Sequence, residues 1–91
     1  MNSTPELDKF SLYFFQDIDI FATTEEEMYD FVLKHFDSHE RERLRVFLTA
    51  ATENSVSDAE LGQLWHNSES DLDFGGGAGV RIMFKRVLER L

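Results

Sequence analysis

Apolar residues recur along this chain at helical spacing in five stretches, and four of them open on a capping signal. In the first, Leu7, Phe10 and Phe14 share one face, with Ser11 and Tyr13 beside them. Thr4 stands as N-cap, Pro5 suits the first helical position, and Glu6 favours the positive end of the helix dipole. The pattern predicts a helix over 5–15. Aromatics also favour sheet, but a strand at 11–15 would have no partner in the sequence. Residues 16–23 then read as a connector, with Ile18, Ile20 and Phe21 returning to the core. Thr23 with Glu26 and Thr24 with Glu27 form two overlapping capping boxes. Met28, Phe31, Val32, His35 and Phe36 follow as an amphipathic stripe, predicting a helix over 24–36.

Asp37 with Glu40 opens the next helix, whose stripe is Leu44, Phe47, Leu48 and Ala51 and whose outer face is Arg41, Glu42, Arg43 and Arg45. It is expected to end between Thr52 and Asn54. Ser57 with Glu60 caps a short helix over 58–66 carrying Leu61, Leu64 and Trp65, in which Gly62 permits close approach of a neighbour. Asn67 suits a left-handed cap, and 67–79 is irregular and rich in glycine, serine and acid. From Val80 the spacing of Val80, Met83, Phe84, Val87, Leu88 and Leu91 is again helical. The expected fold is all-α: one domain, 1–91, of about five short helices.

The stretch Leu12 to Asp19 concentrates the tension in this plan. Tyr13, Phe14 and Phe15 want to be buried, and Asp17 and Asp19 cannot be. The chain must therefore enter the core at the aromatics and surface at the acids.

The net charge of −9 is unevenly spread. Residues 1–30 hold eight acids and one base, and 49–80 hold six acids and no base; the remaining bases cluster in 31–48 and 81–91. This balance argues against nucleic acid and anionic membrane surfaces, which demand a basic footprint. It favours a basic protein partner. No apolar run approaches the roughly 20 residues of a membrane span. The N-terminus lacks the basic and apolar regions of a signal peptide. The absence of cysteine excludes disulfides and suits the cytoplasm.

The candidate chemistry is sparse. His35 and His39 lie four apart, but Asp37-Ser38 breaks the helix between them, so no metal site is expected. Asp71-Leu72-Asp73-Phe74-Gly75-Gly76 resembles the front of a calcium loop, yet Ile82 stands where the closing glutamate belongs. The glycine cluster 75–79 matches no phosphate-binding spacing and reads as a hinge or a close helix contact. No nucleophile and base stand at informative spacing, so neither catalysis nor a cofactor is expected. What remains is recognition. Acids on loops, Asp17, Asp19, Glu69, Asp71 and Asp73, form the candidate partner-binding set, with Glu25 and Glu26 at its rim.

Tyr13-Phe14-Phe15-Gln16-Asp17-Ile18-Asp19 resembles the Tyr-Phe-His-Gln-Asp-Trp stretch near the start of small helical immunity proteins of contact-dependent growth inhibition systems. The likeness extends to the acidic cap from Thr23, the loop bearing Asp71 and Asp73, the glycine cluster and a closing helix with Arg81. Tyr13, Gln16 and Asp17 match the motif; Phe15 replaces its His and Ile18 its Trp. The resemblance implies a cytoplasmic protein that binds and neutralises the toxin domain of a large secreted adhesin, often a nuclease and therefore basic, without catalysis. The alternative from another class is a helical adaptor that binds a basic protein or peptide.

Overall fold

The caps set the helices. In the computed structural model, which describes residues 1–91, five α-helices and one 3-10 turn follow in order. Thr4 accepts the Leu7 amide at 3.3 Å and opens α1 (Pro5–Leu12). Thr24 accepts the Glu27 amide at 3.1 Å and opens α2 (Glu25–Leu33). Reciprocal capping boxes, Asp37 with Glu40 and Ser57 with Glu60, open α3 (Ser38–Ala51) and α4 (Asp58–His66). No side chain caps α5 (Gly76–Leu88); Gly75, at φ 87°, turns the chain into it. The all-α bundle is the fold that the periodicity predicts.

The core is aromatic at its centre. Phe10 meets the rings of Phe14, Phe36, Trp65 and Phe84 edge-on, at centroid distances of 5.0, 6.5, 6.1 and 6.5 Å. This edge-to-face geometry sets the positive rim of one ring against the negative face of the next. Leu44, Phe47, Leu48 and Ala51 bring α3 to the same core, as their spacing predicts. The tightest approach is between α4 and α5. A Cβ on Gly77 would sit 1.6 Å from the Asp58 carbonyl oxygen, and one on Gly62 would sit 3.1 Å from the Gly77 nitrogen. The glycine cluster thus serves a close helix contact. Arg81 clamps the same junction, donating to Asp58 at 2.8 Å and to the Thr52 and Val56 carbonyls.

Several elements differ from expectation, each for a local reason. Helix α1 stops at Leu12 instead of 15: Ser11 Oγ bonds back to the Asp8 carbonyl and the Phe14 amide takes a tighter turn to Ser11. Helix α2 stops at Leu33 instead of 36, because His35 and Phe36 also bond three residues back and Arg41 takes the Leu33 and Phe36 carbonyls at 2.7 and 3.1 Å. Arg41 is therefore partly buried, where the charge pattern had it solvated. Thr23 forms no capping box with Glu26; its hydroxyl donates to Glu27. The inward stripe of α2 is Tyr29, Val32 and Leu33, followed by Phe36, with Met28 and Phe31 at its edge. Asn67 is not left-handed, at φ −85°. Helix α5 begins at Gly76 rather than Val80, since side-chain-free residues let its first turn lie against the Asp58 and Phe74 carbonyls. Ile20 and Phe21 do not return to the core; Ala22, four residues after Ile18, takes the inward place.

Gly77→Ala drives a methyl into the Asp58 carbonyl, so it is expected to cost at least about 2 kcal/mol. Gly62→Ala needs only a small shift and is expected to cost less. Chemical denaturation of the two variants checks the order; equal stabilities would contradict the close contact.

Candidate functional site

Two loops emerge side by side at one end of α1. The first follows Leu12: Phe14 is buried, the 3-10 turn Ile18–Ile20 sends Ile18 into the core, and Asp17 and Asp19 stay exposed on either side of it. The second follows α4 and is tied to the first by its backbone. The Asp71 amide donates to the Phe14 carbonyl at 2.9 Å, and the Glu69 amide donates to the buried Ser11 hydroxyl at 3.1 Å. The Trp65 indole N–H donates to the Leu72 carbonyl at 3.0 Å and fastens the loop to α4. Glu69, Asp71 and Asp73 are left exposed. The structure thus brings together Asp17, Asp19, Glu69, Asp71 and Asp73 on two stitched loops.

None of these five acids forms an ion pair. Asp73 accepts the Gly75 amide at 2.8 Å and shapes the turn into α5. Most of the cations are engaged elsewhere. Lys9 pairs with Glu40, Arg43 with Glu6, Arg45 with Glu42, Arg81 with Asp58, and Arg90 with Asp30. No lysine or arginine occurs in 10–33 or 46–80. The two loops therefore carry uncompensated negative charge.

Glu25 lines the same groove as Asp19, and both Glu25 and Glu26 are in addition engaged by cations, Arg86 and Arg90. Arg86 grips Glu25 through both carboxylate oxygens, at 2.8 and 2.9 Å, and the Tyr29 hydroxyl donates to the same carboxylate. The Tyr29 bond, then the Arg86 bond, holds the Glu25 carboxyl below the usual glutamate range. Burial, reinforced by the Glu25 charge, pushes the Tyr29 hydroxyl up. Glu26 lies 3.7 Å from Arg90. These two acids latch α2 to α5, and their charge is partly spent there.

Beside the acidic loops lies an apolar shelf that the hydropathy pattern assigned to the core. Ile20 and Phe21 are 74% and 61% exposed. The Phe21 ring stacks on Phe31 at 5.2 Å, and Phe15 meets both rings edge-on at 6.0 Å. Ile18 and Ala22 already satisfy the inward spacing, and that was the available sequence signal that Ile20 and Phe21 point elsewhere. Ile82 is also exposed and shares a groove of about 530 Å³ with Asp19, Met28 and Phe74. Within the motif stretch, Tyr13 stacks on His35 at 3.9 Å, while Gln16 and Asp17 face solvent. His35 Nδ1 lies 2.9 Å from the Phe31 carbonyl oxygen. No three His, Cys, Asp or Glu side chains are arranged to hold a metal ion. No helix is long and apolar enough to cross a membrane. No family model, curated protein or solved structure matches the chain.

Glu25→Gln is expected to lower Tm by a few degrees at neutral pH, a small effect because the pair is half exposed. A carboxyl with a depressed folded pKa stabilises above its unfolded value, about 4.3, and loses that contribution as pH falls through the folded value. The Tm gap between wild type and Glu25→Gln should therefore be constant above about pH 5 and close in more acidic solution. A gap that does not change with pH would contradict the latch.

Proposed function

We propose that this chain is a cytoplasmic immunity protein that binds one basic toxin domain of a contact-dependent growth inhibition system and neutralises it by stoichiometric occupation, without catalysis. The observation that carries this reading is the uncompensated acidic face: Asp17, Asp19, Glu69, Asp71 and Asp73 on two loops joined by the Asp71–Phe14 backbone hydrogen bond, with no cation paired to any of them. A nuclease toxin must gather lysines and arginines to hold phosphates, and an acidic surface fits that groove. Complementary charge also speeds encounter, which matters for an inhibitor that must act before damage is done. The resemblance of Tyr13, Gln16 and Asp17 to the motif of such immunity proteins supports the same assignment.

Co-expression tests this with the C-terminal fragment of the protein encoded just upstream, one partner tagged. The expected result is a one-to-one complex that relieves the fragment's toxicity. The double variant Asp17→Lys/Asp71→Lys leaves the Asp73 turn intact and should slow association about tenfold or more at low salt, with helical content unchanged. The difference should shrink at high salt. No complex and no protection would contradict the proposal. A complex without relief of toxicity would instead support an adaptor for basic proteins.

A further inference from the structure

We propose that Ile20 and Phe21, backed by Phe15 and Phe31, are the apolar anchor of this surface, onto which a basic protein partner lays an apolar side chain set among its own cations. The inference rests on the reading that the partner is a basic protein, and it names the part of the surface that holds the partner once encounter is over. Two large apolar residues in succession stand mostly in water, although the chain has a core a few residues away. Their position is set on both sides: Ile18 is in the core before them and Ala22 after them. The Phe21–Phe31 stack and the Phe15 ring fix the Phe21 side chain in place. Interfaces concentrate their energy in such aromatic centres, ringed by polar groups that exclude water.

The rim selects the occupant by charge. Asp17 and Asp19, neither in an ion pair, lie in the turn that leads into the anchor, and Glu27 shares with Phe21 and Phe31 a shallow depression of about 270 Å³, where Asp30 is already paired with Arg90 at 3.0 Å. Besides the Arg90 paired to Asp30, the cation there is Lys34, whose Nζ stands 4.5 Å over the Phe31 ring. That contact is itself an instance of an ammonium resting on the shelf. A second copy of this chain would bring two rims of the same sign together, in a molecule of net charge −9, and like-charge juxtaposition opposes that pairing. An apolar side chain flanked by lysines or arginines satisfies both the anchor and its rim.

The two parts of the surface then have separable roles. The acids govern the rate of encounter, and the anchor governs the lifetime of the complex. Ile20→Ser/Phe21→Ser changes only exposed side chains. Measured against the upstream toxin fragment on a sensor surface, it should raise koff about tenfold or more while kon stays within about twofold, at low and high salt alike. An unchanged koff would overturn the anchor. A second measurement needs no toxin: an amide-resonance titration with the pentapeptide Lys-Lys-Trp-Lys-Lys and, separately, pentalysine. The tryptophan peptide alone should move the resonances of Ile20, Phe21 and Phe31. Shifts confined to Asp17, Asp19 and residues 69–73, or equal shifts with both peptides, would overturn the inference. If no toxin complex forms, the immunity reading fails on its own and the peptide titration still decides the anchor.

Discussion

A single backbone hydrogen bond, from the Asp71 amide to the Phe14 carbonyl, joins the two halves of the acidic face. It requires that α1 end early. A helix continuing to 15 would draw the aromatic residues into its own bonding and turn Phe14 away from the second loop. Ser11 works with it: a buried hydroxyl that donates to Asp8 and accepts from Glu69 leaves neither of its own needs unmet. Such bonds are worth about 1 kcal/mol each, and they hold together loops whose acids repel one another. The aromatic cluster around Phe10 makes this possible, since Phe14 and Trp65 pack on each other at 5.6 Å and each anchors one of the loops.

The distribution of cations completes the arrangement. Ion pairs join α1 to α3 through Lys9 and Glu40, α5 to α2 through Arg86 and Glu25, and α5 to α4 through Arg81 and Asp58. Individually such exposed pairs contribute little to stability. Collectively they place positive charge between helices and leave the loops without it. The basic segments are thus engaged mostly in pairs at the bundle surface, and the two loops carry acid with no cation paired to it.

Much of this fold was legible in the chain. Capping boxes located the starts of α3 and α4, and α4 has the bounds that its caps and spacing predict. Gly62 and the glycines after it signalled the close approach that Gly77 makes. The acids of the two loops were identifiable as loop residues, but their adjacency depends on a bond across 57 positions of chain, from 14 to 71, which no local pattern encodes. The anchor was missed for a related reason. Hydropathy records that Ile20 and Phe21 are apolar; it does not record that a 3-10 turn gives the inward positions to Ile18 and Ala22. The pairing of Glu25 was not legible because Arg86 lies 61 positions away on the last helix.

If the two acidic loops form one surface, hydrogen exchange at the Asp71 amide reveals it. Bonded to Phe14 and backed by the aromatic core, this amide should exchange orders of magnitude more slowly than in an unstructured chain, although it lies outside any helix. Exchange near the free-chain rate would mean that the second loop moves independently of the first, and the single acidic face would not exist.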